Sequence, residues 1–310
     1  MAGRSKPGRR TSRASRTSRA PRTPQKRIFV TGGASGLGQA LAERYARDGW
    51  QVAIGDLQAE RGAEVAAAIQ GAGGPAAFLR CDVTKEKDLA AAARWLEAEW
   101  GGVDVVVNNA GVAVSGGIAD TPLADWQWIL DVNVLGVVRG CRVFTPLFRR
   151  QGGGQFVNVA SMAGLVHPPM MSAYSATKAA VVALSESLRL ELAPDRIGVT
   201  VACPGFFRTN LAETARTSSG MGGLTRALVN RARRSAPEVA EDIFRGACRG
   251  DFLVLTHVEG EIAWMLKRVL PFPLYEQIMD RSSRKMMGRR PERRAEPRAA
   301  AVPRGDRRDG

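Results

Sequence analysis

From about residue 27 to residue 256 the chain alternates short apolar runs, rich in β-branched residues, with longer Ala-rich stretches of helical spacing. The runs at 27–31, 51–56, 76–80, 103–108, 154–160, 197–203 and 252–255 read as strands. Helical patterns lie between them, from Gly38 to Asp48, Gln58 to Gln70, Lys85 to Trp100, Asp125 to Arg150 and Ser172 to Leu192. Strands that are apolar along their whole length must be covered on both faces, and helices between them make the crossovers of a parallel sheet. The expected fold is therefore one α/β domain over 27–258, doubly wound around a mostly seven-stranded parallel sheet. The rhythm pauses from Thr209 to Gly250, in Gly, Ser, Thr, Arg and helix formers, where such a fold lays a substrate-covering excursion. Residues 259–288 read as one or two amphipathic helices, with Trp264, Met265, Leu266, Val269, Leu270, Leu274 and Ile278 among charges and a break at Pro271 and Pro273.

At 310 residues and 45% apolar, the chain can bury a large core. No apolar run approaches the roughly 18 residues of a membrane span, and no signal-peptide core is present, so a cytoplasmic protein is expected. Cys81, Cys141, Cys203 and Cys248 lie far apart with only His167 and His257 for company, which argues against a disulfide scaffold or structural zinc. The net charge of +15 is not spread evenly. Residues 1–27 carry 10 Lys and Arg and no acid; residues 281–310 carry 11 against 4 acids. The part between is nearly neutral. Segments 1–26 and 289–310 are therefore expected to be disordered basic tails. They hold no aromatic residue for base stacking, so salt-sensitive, non-specific association is the expectation, and no specific nucleic acid.

The first strand runs into Thr31-Gly32-Gly33-Ala34-Ser35-Gly36-Leu37-Gly38 and then into a helix. Glycines there permit a tight turn and let backbone N–H groups approach a pyrophosphate at the positive helix end. The second strand ends in Asp56, whose carboxylate can accept hydrogen bonds from ribose hydroxyls and would repel a 2′-phosphate. Ser35 stands where an Arg could have cradled that phosphate. The cofactor expected is NAD, favoured over NADP.

The spacing Thr-Gly-x-x-x-Gly-x-Gly resembles the classical short-chain dehydrogenase/reductase family, and further landmarks follow in order. Cys81-Asp82-Val83, Asn108-Asn109-Ala110-Gly111 and Pro204-Gly205 with Thr209 match its motifs over roughly 27–256. The resemblance implies a Rossmann-type fold with Asp82 and Val83 at the adenine. It also implies that Asn108 and Gly111 stabilise the strand and flank the ribose, with Asn109, Ala110 and Gly111 binding the cofactor. Pro204, Gly205 and Thr209 then lie on the nicotinamide side, and a homodimer or homotetramer is implied too.

Tyr174-Ser175-Ala176-Thr177-Lys178 opens a helix, and a spacing of four sets Tyr174 and Lys178 on one face. A phenol titrating near pH 10 needs help to work at neutral pH. An ammonium about 5 Å away, at an effective dielectric of about 20, is worth roughly 3 kcal/mol and is expected to lower it by about two pH units. Ser161 ends the strand Phe156 to Ala160, at the carboxyl edge where α/β sheets carry their sites. Asn133, polar among apolar neighbours in a helical run, completes what resembles the family's tetrad; in that family the Asn bends a helix and holds a water in a proton relay. The implied reaction is hydride transfer between a nicotinamide and a secondary alcohol or ketone, with no metal.

His167 reads as a loop residue near the substrate mouth, or simply as a half-exposed one, and His257 as structural. Phe206, Phe207, Leu211 and Met221 can line an apolar pocket or pack the excursion onto the sheet. The segment 259–288 can cover the pocket, dock on another subunit or lie on an anionic membrane surface together with the basic tails. A different class also accommodates the dinucleotide fold, a nucleotide-sensing scaffold with basic tails on nucleic acid or membrane. The complete set Asn133, Ser161, Tyr174 and Lys178 favours the enzyme.

Overall fold

The computed structural model describes residues 25–209, 215–217 and 232–287. The expectations for most of the basic ends, and for Leu211 and Met221, fall outside these residues. The strands are β1 (Arg27–Thr31), β2 (Gln51–Asp56), β3 (Ala76–Arg80), β4 (Val105–Asn108), β5 (Val114–Ser115), β6 (Gly154–Val159), β7 (Ile197–Cys203), β8 (Arg216–Thr217) and β9 (Leu253–Leu255). The α-helices are α1 (Gly36–Arg47), α2 (Ala59–Gly71), α3 (Glu86–Trp100), α4 (Leu123–Leu130), α5 (Gly136–Gln151), α6 (Ala163–Val166), α7 (Ser172–Glu191), α8 (Ala236–Arg249), α9 (Val258–Val269) and α10 (Phe272–Met287).

Seven strands form one parallel sheet in the order β3-β2-β1-β4-β6-β7-β9, which is the doubly wound, Rossmann-type topology expected. Alternation along each strand feeds two cores. Ile28, Val30, Val52, Ile54, Val105 and Val107 pack with α1, α2 and α8. Phe29, Ala53, Val106, Phe156, Val199 and Val201 pack with α3, α5 and α7. Every one of these strand residues is buried, and burying a large apolar side chain contributes roughly 1.5–3 kcal/mol. A double-faced sheet has no solvated side, so its strands read as unbroken apolar runs.

Three sequence expectations are corrected. The helix expected from Asp125 to Arg150 is α4, a π-helical turn at Asp131–Leu135, and α5. The strand expected at 103–108 spans Val105–Asn108, and Asp104 just before it bonds Arg27 and Gln155 through its backbone and Arg27 through its side chain at 2.8 Å. Finally, the end of the supposed excursion, Ala236–Arg249, is a crossover helix. Its residues Val239, Ala240, Ile243 and Phe244 are buried against α1, and the Phe244 ring lies edge-on to Tyr45 at 4.8 Å. The short strand β8 pairs in parallel with β5, which follows β4 in the chain. Arg216 pins it there, bonding Asp125 at 2.7 Å and lying 3.8 Å over the Trp128 ring. No helix among the described residues is long and apolar enough to cross a membrane.

Candidate active site

The loop from Thr31 to Gly38 owes its shape to positions that only glycine tolerates. Gly32 and Gly36 have φ of +64° and +56°. A Cβ on Gly38 would stand 2.0 Å from the Gly32 carbonyl oxygen and 2.5 Å from Asn109 Nδ2, so α1 begins pressed against the loop. Thr31 and Asn109 fasten this loop to the end of β4. Thr31 Oγ1 accepts from the N–H groups of Asn109 and Ala110 at 3.0 and 3.1 Å and donates to Val107 O, while Asn109 Nδ2 donates to the carbonyls of Thr31 and Gly32. Ser35 precedes α1 without a side-chain cap, no acid lies in the first turn, and Leu37 is buried below it. The positive end of α1 thus carries backbone N–H groups that no capping side chain takes up, beside a cradle that a Cβ would fill, which fits a dinucleotide pyrophosphate.

Asp56 ends β2 next to this loop. Its Oδ2 accepts from Ala34 N–H and its Oδ1 from Gln58 N–H, both at 3.0 Å, so each oxygen keeps further lone-pair capacity for a ribose hydroxyl. Asp82 is engaged locally: its Oδ1 accepts from the Thr84 N–H at 3.0 Å and the Thr84 hydroxyl at 2.7 Å, and Lys85 lies 3.2 Å away. Burial works against its charge, but these hydrogen bonds win and hold the carboxyl below its ordinary value. Val83 packs on Gly136, where a Cβ would come within 3.1 Å of its Cγ2.

At the reacting end, β4, β6 and β7 finish side by side and α7 brings its first turn over them. Ser161 and Tyr174 are buried, and Lys178 is only 4% exposed. Lys178 Nζ donates to Val159 O at 2.8 Å and lies 5.8 Å from the centre of the Tyr174 ring. Ser161 Oγ accepts from Ala163 N–H at 3.1 Å and meets Pro204 O at 3.4 Å. Gly111 separates Asn133 from Lys178: a Cβ there would stand 3.2 Å from Asn133 Oδ1 and 3.5 Å from Lys178 Nζ. Asn133 sits in the π-helical turn with no exposure; its carboxamide is held by the N–H and carbonyl of Val112, at 2.8 and 2.9 Å, and by Thr177 Oγ1 at 3.2 Å. The bend that the resemblance implied is thus present, as one wide turn that drops a carboxamide onto the segment between β4 and β5.

The expected lowering of the tyrosine is not found in this state. Burial pushes Tyr174 up to about 12, against a hydrogen bond with Ser161 that pulls it down. Burial likewise brings Lys178 down to about 8. Desolvation penalises both charged forms and outweighs the single ammonium on which the expectation rested. Cys203 below them is also pushed up to about 12 by burial and stays a neutral thiol.

Pro204 and Gly205 follow β7, with Thr209 closing that described stretch. His257 holds this loop: its Nδ1 accepts from Gly205 N–H at 3.1 Å, which makes Nε2 the donor to Phe206 O at 3.0 Å. Phe206 is exposed, and Phe207 is buried in the core with α1 and α8, where it packs the sheet. His167 lies on the turn after α6 with φ of 50°, one nitrogen against Gly164 O and the other against Lys267 Nζ. Burial, then the neighbouring Lys267, lowers it below the ordinary histidine value. A cleft of about 340 Å³ opens beside the β5–β8 pair, lined by Ser115, Asp120, Asp125 and Thr217 among others, and its wall residue Val114 packs in one cluster with Tyr174.

Sequence reasoning missed a buried polar chain beneath the site. Asn108 Nδ2 donates to Asn158 Oδ1 at 2.9 Å, Asn158 Nδ2 to Ser185 Oγ at 3.0 Å, and Ser185 Oγ to Val181 O at 2.7 Å. This chain ties β4 to β6 and β6 to α7, so it sets the height of the helix that carries Tyr174 and Lys178. The repeated polar position in two otherwise apolar strands was the available signal.

These arrangements recur in known proteins. Residues 26–220 match the family model for short chain dehydrogenases. A Mycobacterium tuberculosis protein named as an oxidoreductase, SadH, is 32% identical over 250 residues, 79% of this chain and 91% of its own length. A 3-alpha-(or 20-beta)-hydroxysteroid dehydrogenase of the same species is 37% identical over 188 residues, 61% of this chain and 71% of that protein. The mycobacterial oxidoreductases named EphD are 40% identical over 188 residues, and the chain spans about a third of their length. Among solved structures, a short-chain dehydrogenase/reductase from Burkholderia phymatum in complex with NAD superposes with a TM-score of 0.76 at 30% identity, covering 79% of this chain and 93% of that one. A short-chain dehydrogenase from Sphingobium yanoikuyae in complex with NADPH gives 0.64 at 26% identity, covering 88% and 100%. With the glycine cradle, the Asn-Ser-Tyr-Lys cluster and a family match over more than half its length, this chain belongs to the short-chain dehydrogenase/reductase family.

Proposed function

We propose that the chain is an NAD(H)-dependent oxidoreductase interconverting a secondary alcohol and a ketone, with Tyr174 as general acid and base. The observation that carries this reading is the burial of Tyr174, Ser161 and Lys178 together beside Gly111 and Asn133, at the carboxyl ends of parallel strands. Thr31, Gly32, Ser35, Gly36, Leu37 and Gly38 would hold the pyrophosphate side and Asp56 the adenosine ribose, with Asp82, Val83, Asn109, Ala110 and Gly111 along the adenine and ribose. Pro204, Gly205 and Thr209 would take the carboxamide side. When bound, the nicotinamide supplies or accepts the hydride.

Ser161 Oγ polarises the substrate oxygen. Tyr174, held neutral by burial, gives its proton to that oxygen in reduction. In oxidation Tyr174 must become the acceptor, and Lys178 is the cation beside its ring that stabilises the tyrosinate. Lys178 also holds the nicotinamide ribose and, at about 8, sits near its own titration, where passing a proton onward is easiest. Asn133 acts by position, fixing Val112 and hence Gly111 against Lys178.

NAD(H) is inferred over NADP(H) from the Asp56 carboxylate, which would repel a 2′-phosphate. An apolar, medium-sized alcohol is supported by the packed wall of Ala113, Val114, Trp126 and Met171 around Tyr174, and by the hydroxysteroid dehydrogenase relative. Leu123, Leu130 and Leu135, all exposed along α4 and the π-helical turn, support a homodimer or homotetramer. The deciding experiment follows nicotinamide absorbance over a panel of secondary alcohols and ketones, steroids included, with NAD(H) and NADP(H) in parallel and Tyr174→Phe as control. Turnover favouring NAD(H) and abolished in the variant is expected. Tight cofactor binding with no turnover on any substrate would overturn the catalytic reading, and equal turnover with NADP(H) the role of Asp56.

A further inference from the structure

Helix α9 packs Trp264 against the second core and also carries apolar residues on the face that points away from the protein. Its inner face is fastened to the segment that follows Ser161: Lys267 Nζ donates to Leu165 O at 2.6 Å and meets His167 Nδ1 at 3.0 Å, and Gly260 lies so near Met162 that a Cβ would be 2.9 Å from its Cε. From α10, the Tyr275 hydroxyl donates to Val166 O at 3.3 Å. With that face fixed, spacings of four, three and four carry Val258, Ile262, Met265 and Val269 outward in one row, and Phe272 stands exposed beyond the extended break at Leu270. Val258 is 68% exposed, Val269 77% and Phe272 67%. Isolated exposed apolar residues need no explanation, but a continuous row on a firmly seated helix does.

Charge identifies what covers the row. Arg268 flanks it, exposed above the Trp264 ring, and α10 runs on through Arg281, Arg284 and Lys285 into a sequence with seven Lys and Arg and one acid between 281 and 294. A second copy docked through the same face could set only Glu259 and Glu261, the acids that open α9, against a run of seven Lys and Arg. An anionic lipid surface offers what both parts of the element lack, hydrocarbon for the row and negative charge for the run, and either signal alone gives only weak attachment. We propose that the outer face of α9 and the start of α10 docks this protein on anionic membranes. The docked face lies on the opposite side of α9 from the segment that follows Ser161. The proposal stands on the row and the charge, independently of the reaction.

The test is co-sedimentation of the full chain with vesicles of phosphatidylcholine alone or with roughly a third phosphatidylglycerol, at low and high salt, with light scattering of the free protein. Binding is expected on the anionic vesicles, weakened by salt, and reduced at least about tenfold in the Ile262→Glu, Val269→Glu double variant, whose far-UV circular dichroism and mass in solution stay unchanged. No binding to anionic vesicles would overturn the proposal. So would a double variant that binds as well as the parent, because the basic tails alone would then account for attachment. A parent oligomer that falls apart in the double variant would instead assign the row to a second copy of the chain.

Discussion

Gly38→Ala adds one methyl group at the tightest contact in the cradle. Its Cβ would meet the Gly32 carbonyl oxygen at 2.0 Å and Asn109 Nδ2 at 2.5 Å, where ordinary contact begins near 3.4 Å. The first turn of α1 must therefore retreat from the loop by about 1.4 Å, since the nearer obstacle is backbone and the other is a carboxamide held by two hydrogen bonds. Overpacking of this kind costs about 1–3 kcal/mol. Displacing Asn109 also strains its two bonds to the carbonyls of Thr31 and Gly32, each worth about 1 kcal/mol, while alanine returns at most about 1 kcal/mol of helix propensity. The net loss is about 2–4 kcal/mol, or roughly 5–15 °C in Tm for a chain of this size. Because the same turn aims the backbone N–H groups at the pyrophosphate, NAD(H) affinity should fall by at least about tenfold. Gly71→Ala makes the same chemical change at the last residue of α2, where nothing lies within 4 Å, and should leave stability level or raise it by up to about 0.5 kcal/mol. Thermal melts and a fluorescence titration of NADH on both variants check this. If Gly38→Ala melts within 1 °C of the parent and binds cofactor as tightly, the close-approach argument is wrong.

The buried lysine makes a pH prediction. Lys178 titrates at about 8 folded and near 10.5 unfolded, so between those values the unfolded chain binds more protons and stability rises with pH. Tyr174, raised to about 12, works in the opposite sense only above pH 10. Urea midpoints between pH 7 and pH 9.5 should therefore climb relative to Lys178→Met, by at most about 1.4 kcal/mol per pH unit, and parallel slopes in the two proteins would count against the burial assignment. Asn158→Leu strands Asn108 and Ser185 inside the protein and should cost about 2–4 kcal/mol in chemical denaturation, a loss under 0.5 kcal/mol meaning that the polar chain bears no weight. His257→Ala frees Gly205 N–H and Phe206 O, and steady-state kinetics should show KM for NAD(H) rising about three- to tenfold with kcat within about twofold; a fall in kcat alone would place His257 in the chemistry.

The strands at 27–31, 51–56, 76–80 and 197–203 were legible to the residue, because each is a compact run between turn residues, and all but the edge strand at 76–80 are buried along nearly their whole length. Asn133 was legible as an anomaly, but the π-helical turn around it was not: apolar spacing over 125–150 continues almost unbroken across one extra residue per turn. Helix α8 hid in a stretch judged by its glycines, serines and arginines upstream. Its start was nevertheless written in Ser235 and Glu238, where the Glu238 carboxylate accepts from Ser235 N–H at 2.8 Å. Two-residue strands such as β5 and β8 carry too few positions for any periodicity. The Tyr174–Lys178 pair was legible from spacing but its burial was not, since depth below the surface comes from the whole fold and not from four residues of helix.

The strand order has a consequence for synthesis of the chain. β1 gains β2 as a neighbour within about 25 residues, yet its other neighbour, paired Ile28 to Val105 and Val30 to Val107, is made 77 residues later. At 5–20 residues per second, the open ladder of β1 waits about 4 to 15 s on the ribosome, carrying Ile28, Phe29 and Val30. Exposed apolar edges invite pairing with other chains, so this interval is when a nascent copy is most open to aggregation and to chaperone capture. Of the strands that end with a neighbour on each side, β1 waits longest for its second one.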